Sequence, residues 1–227
     1  LLEKHKKSHS HIASQSALSL VCEASSGFAA SSAKTAKLLA CGTDCFTAML
    51  KAIGEAKQHI HLEYYIFEPD ITGTQFRDAL IKQANADIKV RLLLDAIGSA
   101  NIGNKFLKPL LDAGAEVAFF HRTHIRWRGL WRPNINLRSH RKIVVIDGLL
   151  GFTGGINITD DENGAVNKTP YRDLHIAVTG DVVRWLQLAF LEDWVYAGKH
   201  LPNEAELFTP HPQAKSANCR FQAGSRV

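Results

Sequence analysis

Residues 140–157 read His140-Arg141-Lys142-Ile143-Val144-Val145-Ile146-Asp147-Gly148-Leu149-Leu150-Gly151-Phe152-Thr153-Gly154-Gly155-Ile156-Asn157. The β-branched run Lys142 to Ile146 predicts a strand, Asp147-Gly148 a tight turn, and Leu149 to Thr153 a second strand pairing back as a hairpin. Side chains two apart on a strand face the same way, so His140 and Lys142 project to one side. The second strand ends in Gly-Gly-Ile-Asn, which returns Asn157 and bare backbone to the same edge. An imidazole, an ammonium and an amide beside two glycines form a pocket for an oxyanion. Gly154 and Gly155 would let a phosphate approach the backbone. Lys142 would neutralise its charge, and the imidazole could attack phosphorus or move protons. A bare His-x-Lys is cheap, since His5-Lys6-Lys7 satisfies it with nothing behind it. The full spacing, with four residues between the Lys and the Asp, then Gly-Gly and Asn, is far more specific.

Upstream, strands and helices alternate at short spacing. Asp44 is expected to cap a helix carrying Phe46, Met49, Leu50 and Ile53 on one face. Ile60 to Phe67 reads as a strand, Gly73 to Ala86 as an amphipathic helix, and Ile88 to Leu94 as a buried strand ending at Asp95. Asn104 to Ala113 reads as a helix closed by Gly114, and Glu116 to Phe120 as a strand. Downstream, Asp173 to Val178 reads as a strand. Val182 to Tyr196 reads as a helix with Val182, Leu186, Ala189, Phe190 and Trp194 on its inner face. This order predicts an α/β fold: a mixed, mostly parallel β-sheet flanked by helices on both faces.

The composition is that of an ordinary globular chain: 227 residues, 45% hydrophobic and 22% charged. Lys plus Arg number 27 and Asp plus Glu 22, a net +5 that is compatible with an anionic partner without proving one. No run of about 18 apolar residues is present. The four cysteines, Cys22, Cys41, Cys45 and Cys219, do not form a disulfide framework or a zinc spacing. The only methionine is Met49 and the chain opens on Leu1, which reads as a processed, trimmed or incomplete product.

The segment around His140 resembles the HKD motif of the phospholipase D superfamily. From about Leu38 to Tyr196 the chain is most similar to the first half of a bacterial cardiolipin synthase. The resemblance is carried by Glu63-Tyr-Tyr-Ile-Phe, Leu93-Leu-Asp95 with Gly98-Ser99, Leu111-Asp-Ala-Gly114, Arg138-Ser-His-Arg-Lys142 and Tyr171-Arg-Asp173. It implies a phospholipase D-like domain that needs no metal and no cofactor. One histidine attacks phosphorus to give a phosphohistidine, and a second, from a second HKD motif, protonates the leaving alcohol. His140 is then the nucleophile, and Lys142 and Asn157 bind phosphate oxygens. Asp147, counted with the catalytic motif, is expected as its buried structural member. Asp173 matches the acid that holds the histidine's other ring nitrogen; read without the resemblance it is a strand-end surface carboxylate. Glu63 is a supporting acid near the site, or a half-buried glutamate paired to a lysine.

Synthases of this type carry two HKD motifs, and this chain has one. Three domains follow as expectations: a poorly ordered leader or arm over 1–37, the HKD domain over 38–198, and a linker with the start of a missing second half over 199–227. The second histidine would come from that half or from a homodimer partner. Residues 121–138 form a basic connection in which Arg126, Trp127, Arg128 and Trp131 suit a lipid headgroup. They equally suit a solvated loop with its tryptophans tucked inward, or a nucleic-acid backbone. The resemblance implies a phosphatidyltransferase joining two phosphatidylglycerol molecules into cardiolipin and releasing glycerol. It would act on anionic phospholipid, peripheral to the cytoplasmic face of the bacterial inner membrane. The alternatives are a dimeric phosphodiesterase, either phospholipase or nuclease, and an inactive half-enzyme.

Overall fold

The computed structural model describes residues 31–120 and 139–203, together with 24, 25 and 207. Seven strands form one sheet: β1 (Thr35–Leu39), β2 (His59–Tyr64), β3 (Lys89–Asp95), β4 (Glu116–Phe120), β5 (Lys142–Ile146), β6 (Leu150–Gly154) and β7 (His175–Thr179). Their spatial order is β1-β7-β6-β5-β2-β3-β4. Helices α1 (Gly42–Glu55), α2 (Ile71–Ala84), α3 (Asn104–Asp112) and α4 (Val182–Tyr196) flank it.

Strand alternation sorts the core into two layers. Ile60, Leu62, Tyr64, Val144 and Ile146 point to one face, where they pack with Phe46, Met49 and Ile53 of α1, Phe76 and Leu80 of α2, and Leu107 and Leu110 of α3. Leu93, Ala118, Ile143 and Val145 point to the other face. There α4 covers them with Val183, Phe190, Leu191 and Trp194. The inner stripe of α4 is thus set by Val183, Gln187, Phe190, Leu191 and Trp194. Val182, Leu186 and Ala189 are its half-buried flank.

The sheet is mixed and helices cover both faces, as expected. The share of parallel pairing is smaller than expected. Only β2–β3 and β3–β4 are parallel, while β2–β5, β5–β6, β6–β7 and β1–β7 are antiparallel. The βαβ rhythm that argues for parallel strands stops at β4. The rest of the sheet is built by hairpins. The β5–β6 turn shows how: Asp147 and Gly148 both have positive φ, at 55° and 66°, and the Leu149 amide donates to the Ile146 carbonyl. That is the primed turn whose twist matches the flanking strands.

Two further expectations change. The 1–37 leader is too long, because Thr35, Ala36 and Lys37 belong to β1 and pair with Thr179, Val178 and Ala177. Asp44 is not the cap of α1: Cys41 is the N-cap residue and Asp44 lies in the first turn. The expectations for 1–23, 26–30, 121–138, 204–206 and 208–227 lie outside the described residues.

Candidate active site

Lys142 opens β5 opposite Tyr64, the last residue of β2. At the same sheet edge Gly154 ends β6 and His175 opens β7, directly paired. This edge gathers the site on the face of α1. His140 is exposed, whereas Lys142 is buried at 2% exposure. The Lys142 Nζ stands 3.2 Å from Nδ1 of His140 and 3.4 Å from Nε2, and donates to the His140 carbonyl at 3.1 Å. The Tyr65 ring backs both, with its centroid 4.5 Å from the imidazole and 5.3 Å from Nζ. Burial pulls the Lys142 amine below the usual lysine range, and the nearby Glu162 and Asp173 charges partly restore it.

Tyr65 is held by the Asp95–Ser99 block. Asp95 accepts from the amides of Ile97 and Gly98, and Ser99 Oγ donates to the Tyr65 carbonyl and accepts from the Phe67 amide. A Cβ on Gly98 would fall 2.2 Å from that carbonyl, so only glycine fits. The sequence block Leu93-Leu-Asp95 with Gly98-Ser99 is therefore the mount for the aromatic wall behind His140.

Asn157 is locked at both ends of its amide. Its Oδ1 accepts from the Ile66 amide at 3.3 Å, and its Nδ2 donates to Glu162 Oε1 at 2.8 Å. One N–H of the amide is left to point at a ligand. Glu162 sits in the short 3-10 turn Asp160–Glu162. That turn is tied to the start of α2, where Asp160 accepts from the Thr72 amide and hydroxyl and Asp70 accepts from the Asp160 amide. Burial, and the Asp173 charge, push the Glu162 carboxyl above the usual range; Asn157 and Lys142 oppose this. Glu162 escapes sequence reasoning because Asp160-Asp161-Glu162 looks like a solvated acidic turn. No sequence signal distinguishes its buried third member.

The two glycines have another role than the expected one. The Gly155 amide is spent on the Leu174 carbonyl. A Cβ on Gly155 would fall 2.1 Å from Asp173 Oδ1, and one on Gly154 2.3 Å from the Leu174 carbonyl. Their emptiness makes room for this chain's own Asp173–His175 segment, not for a phosphate at that backbone. Asp173 is exposed, rests on Gly155, and accepts from the Leu174 amide. The bond expected from Asp173 to His140 is not made, since Lys142 stands at both ring nitrogens. Asp173 acts instead through its charge on Lys142, Glu162 and His175. His175, which lacks a lysine two residues on, is buried against this group. Burial and the Lys142 charge hold its imidazole down at about 4, against the opposing pull of Asp173. It is therefore neutral at ordinary pH.

Asp147 lies at the opposite end of β5. Its carboxylate accepts from the amides of Lys57, Gln58 and His59 at 2.8, 2.7 and 3.0 Å, a clamp on the start of β2. Glu63 lies on the other face of the sheet, under α4. The Ser139 hydroxyl donates to it and also lies 3.4 Å from Asp193 Oδ2. Burial, with Asp193 adding to it, pushes the Glu63 carboxyl up to about 9. Among the described residues no lysine pairs with it; the cation nearby is Arg141, whose Nη1 is 2.6 Å from Asp193 Oδ2. Arg126, Trp127, Arg128 and Trp131 lie outside the described residues.

A mixed sheet with helices on both faces and a His-x-Lys pair opening one of its strands is the architecture of phospholipase D-like domains. Solved structures agree in fold. The phospholipase D family member Nuc from Salmonella typhimurium superposes with a TM-score of 0.52 at 16% identity, covering 71% of this chain and 96% of that one. Phosphatidylserine synthase from Haemophilus influenzae superposes with a TM-score of 0.53 at 16% identity, covering 72% and 37%. The chain belongs to the family described as "Cardiolipin synthase, PLD-like domain", which matches residues 49–194. It is 45% identical over 168 residues to cardiolipin synthase 1 of Bacillus anthracis, covering 74% of this chain and 32% of that protein. It is 42% identical over 160 residues to the major cardiolipin synthase ClsA of Bacillus subtilis, covering 70% and 33%. The chain thus spans about a third of the length of these curated relatives.

Proposed function

We propose that this chain carries the nucleophilic half of a phosphatidyl transfer site of cardiolipin synthase type. The supporting observation is His140, exposed and braced against a buried Lys142, with Asn157 tied to Glu162, whose charge reaches Lys142. Lys142 and Asn157 take the non-bridging oxygens of a phosphatidylglycerol phosphate. A ring nitrogen of His140 attacks phosphorus, and the bond to the headgroup glycerol breaks. The leaving oxygen takes a proton from a second histidine, supplied by a second HKD half or by a second copy of this chain. The hydroxyl of a second phosphatidylglycerol then attacks the phosphohistidine, its proton returns to that second histidine, and the P–N bond breaks. The products are cardiolipin and glycerol. Both substrates are anionic lipids, so the work is done at a membrane surface, peripheral to the cytoplasmic face of the bacterial inner membrane. Arg126, Trp127, Arg128 and Trp131 suit the headgroup layer there. Among the described residues no helix is long and apolar enough to cross a membrane.

A second reading is a dimeric phosphodiesterase or nuclease, in which a second copy of this chain supplies the second histidine. Product analysis with phosphatidylglycerol vesicles separates the two. Cardiolipin with free glycerol supports transfer, phosphatidic acid with free glycerol supports hydrolysis, and cut DNA supports a nuclease. Absence of any acid-labile phosphate on His140 under all three conditions counts against the shared mechanism and leaves a half that does not turn over. Exchanging Arg126, Trp127, Arg128 and Trp131 for alanine should reduce binding to anionic vesicles; unchanged binding removes the headgroup role.

A further inference from the structure

The loop between β6 and β7 has two sides. One carries Asn157, Glu162 and Asp173 toward His140. The other walls a separate cavity of about 520 Å³, closed beneath by the start of α1 and lined by Thr43, Lys168, Thr169, Tyr171 and Arg172 among others. None of His140, Lys142 and Asn157 lines it. The loop is stiffened by its own turns. The Ala165 amide donates to Asn163 Oδ1, the Thr169 amide to Asn167 Oδ1, and Asn163 Nδ2 to Thr72 Oγ1. The Tyr171 amide donates to the Asp161 carbonyl. Neither Lys168 nor Arg172 has a carboxylate partner among the described residues, and the Tyr171 ring is 71% exposed. Arg172 directly precedes Asp173, so the cationic wall and the reaction centre are joined at adjacent residues.

We propose that this cavity is a second anion subsite that seats the glycerophosphate headgroup of the accepting lipid. The inference rests on the transfer reading. A reaction between two phosphatidylglycerols brings two phosphates to one site, and Lys142 with Asn157 can neutralise only the one under attack. The second needs cations of its own, outside the group around Lys142. Lys168 and Arg172 supply them, and Arg172 offers the planar fork that matches phosphate oxygens. The hydroxyls of Thr43, Thr169 and Tyr171 suit a polyol rather than an acyl chain. The cavity volume lies within the range of small-molecule sites.

The test is a binding measurement that needs no turnover. The isotope-labelled chain is titrated with glycerol 1-phosphate and, separately, with inorganic phosphate, following backbone amide shifts. Glycerol 1-phosphate should move Thr43, Lys168, Thr169 and Arg172. The double variant Lys168→Ala/Arg172→Ala should weaken that binding by about tenfold or more, Lys168→Arg should retain it, and Lys142→Ala should leave it unchanged. Cosedimentation with phosphatidylglycerol vesicles should also fall in the double alanine variant, compared with phosphatidylcholine vesicles. Shifts confined to the surroundings of Lys142, or binding unaffected by the double variant, overturn the subsite. Inorganic phosphate binding as tightly as glycerol 1-phosphate, with vesicle binding unaltered by the variant, overturns its assignment to a lipid. The transfer reading fails separately: if phosphatidylglycerol yields only phosphatidic acid while glycerol 1-phosphate still binds here, the reaction is wrong and the anion site stands.

Discussion

Replacing Asp147 with alanine should cost about 4 kcal/mol of stability and leave the chemistry at His140 intact. Three backbone amides, those of Lys57, Gln58 and His59, converge on its carboxylate at 2.7–3.0 Å. Amides bonded to a charged acceptor contribute about 1.5–3 kcal/mol each when buried; two of these are only part-buried, so about 1 kcal/mol each is the fitting figure. The residue also stands at a φ of 55°, a conformation that costs alanine about 1 kcal/mol more than it costs an aspartate or asparagine. Asp147→Asn keeps one acceptor oxygen and tolerates that backbone, and should lose about half as much. Asp147 follows Lys142 by five strand positions, roughly 16 Å at the usual rise per residue, so it touches no reacting group. Urea unfolding followed through tryptophan fluorescence reads the stability, with an unchanged slope marking a true shift in ΔG. Carbethoxylation of His140 in native buffer reads the site. An alanine variant within about 1 kcal/mol of the parent refutes the clamp. A stably folded variant whose His140 has lost its reactivity would return Asp147 to the catalytic group.

His140→Ala should abolish acid-labile phosphate on the chain and any turnover; full residual activity would remove the nucleophile assignment. Glu162→Ala should free the Asn157 amide to rotate and weaken phosphodiester binding by about tenfold, the equivalent of one charge-assisted bond. Glu162→Gln, which keeps an acceptor, should retain most of it, and equal losses in both would refute the orienting role. Burial holds His175 down at about 4, so between pH 6.5 and 4 the unfolded chain carries the proton and the folded one does not. Its stabilising share is present above 6.5 and drains as pH falls, by about 1.4 kcal/mol per unit. His61, also held low by burial with the charges of His59 and Arg91 nearby, acts in the same sense. Glu63, pushed up to about 9, acts oppositely: its share is full below about 4.5 and is lost as pH rises toward 9. The measurement is a difference: the urea midpoints of the chain and of His175→Leu should diverge between pH 6.5 and 5, and parallel profiles refute a buried neutral imidazole.

The elements legible in the sequence are those whose pattern serves one buried face. Glu116–Phe120, Lys142–Ile146 and Val182–Tyr196 emerge with the expected bounds because each has a strong periodicity and a punctuating turn. Strand β1 is invisible for the converse reason. Of Thr35–Leu39 only Leu39 is buried, so there is no alternation to read, and the strand exists because the edge of β7 offers it hydrogen bonds. The orientation of β5 is illegible too, since a strand fully buried on both faces reads the same in either direction. At the site, alternation along one strand was enough to put His140 beside Lys142. It could not show that Asp173 stops short of His140, or that Glu162 is buried, because both depend on how the loop over 159–173 folds back.

The segment 139–142 divides by parity, and this explains why Glu63 meets it on the face opposite His140. His140 and Lys142 face Tyr65. Ser139 and Arg141 point to α4, the first bonded to Glu63 and the second to Asp193. Lys142 is the first residue of β5, so His140 lies just beyond the ladder, where a chain frays unless tied down. The odd residues supply the tie. Glu63 and Asp193 crowd the same hydroxyl, and two ionised carboxylates there would repel; burial keeps Glu63 protonated, so the group can close with only one negative charge beside Arg141. Glu63 then anchors Ser139, the residue before His140. That accounts for a strand acid near the site by sequence whose side chain never enters it.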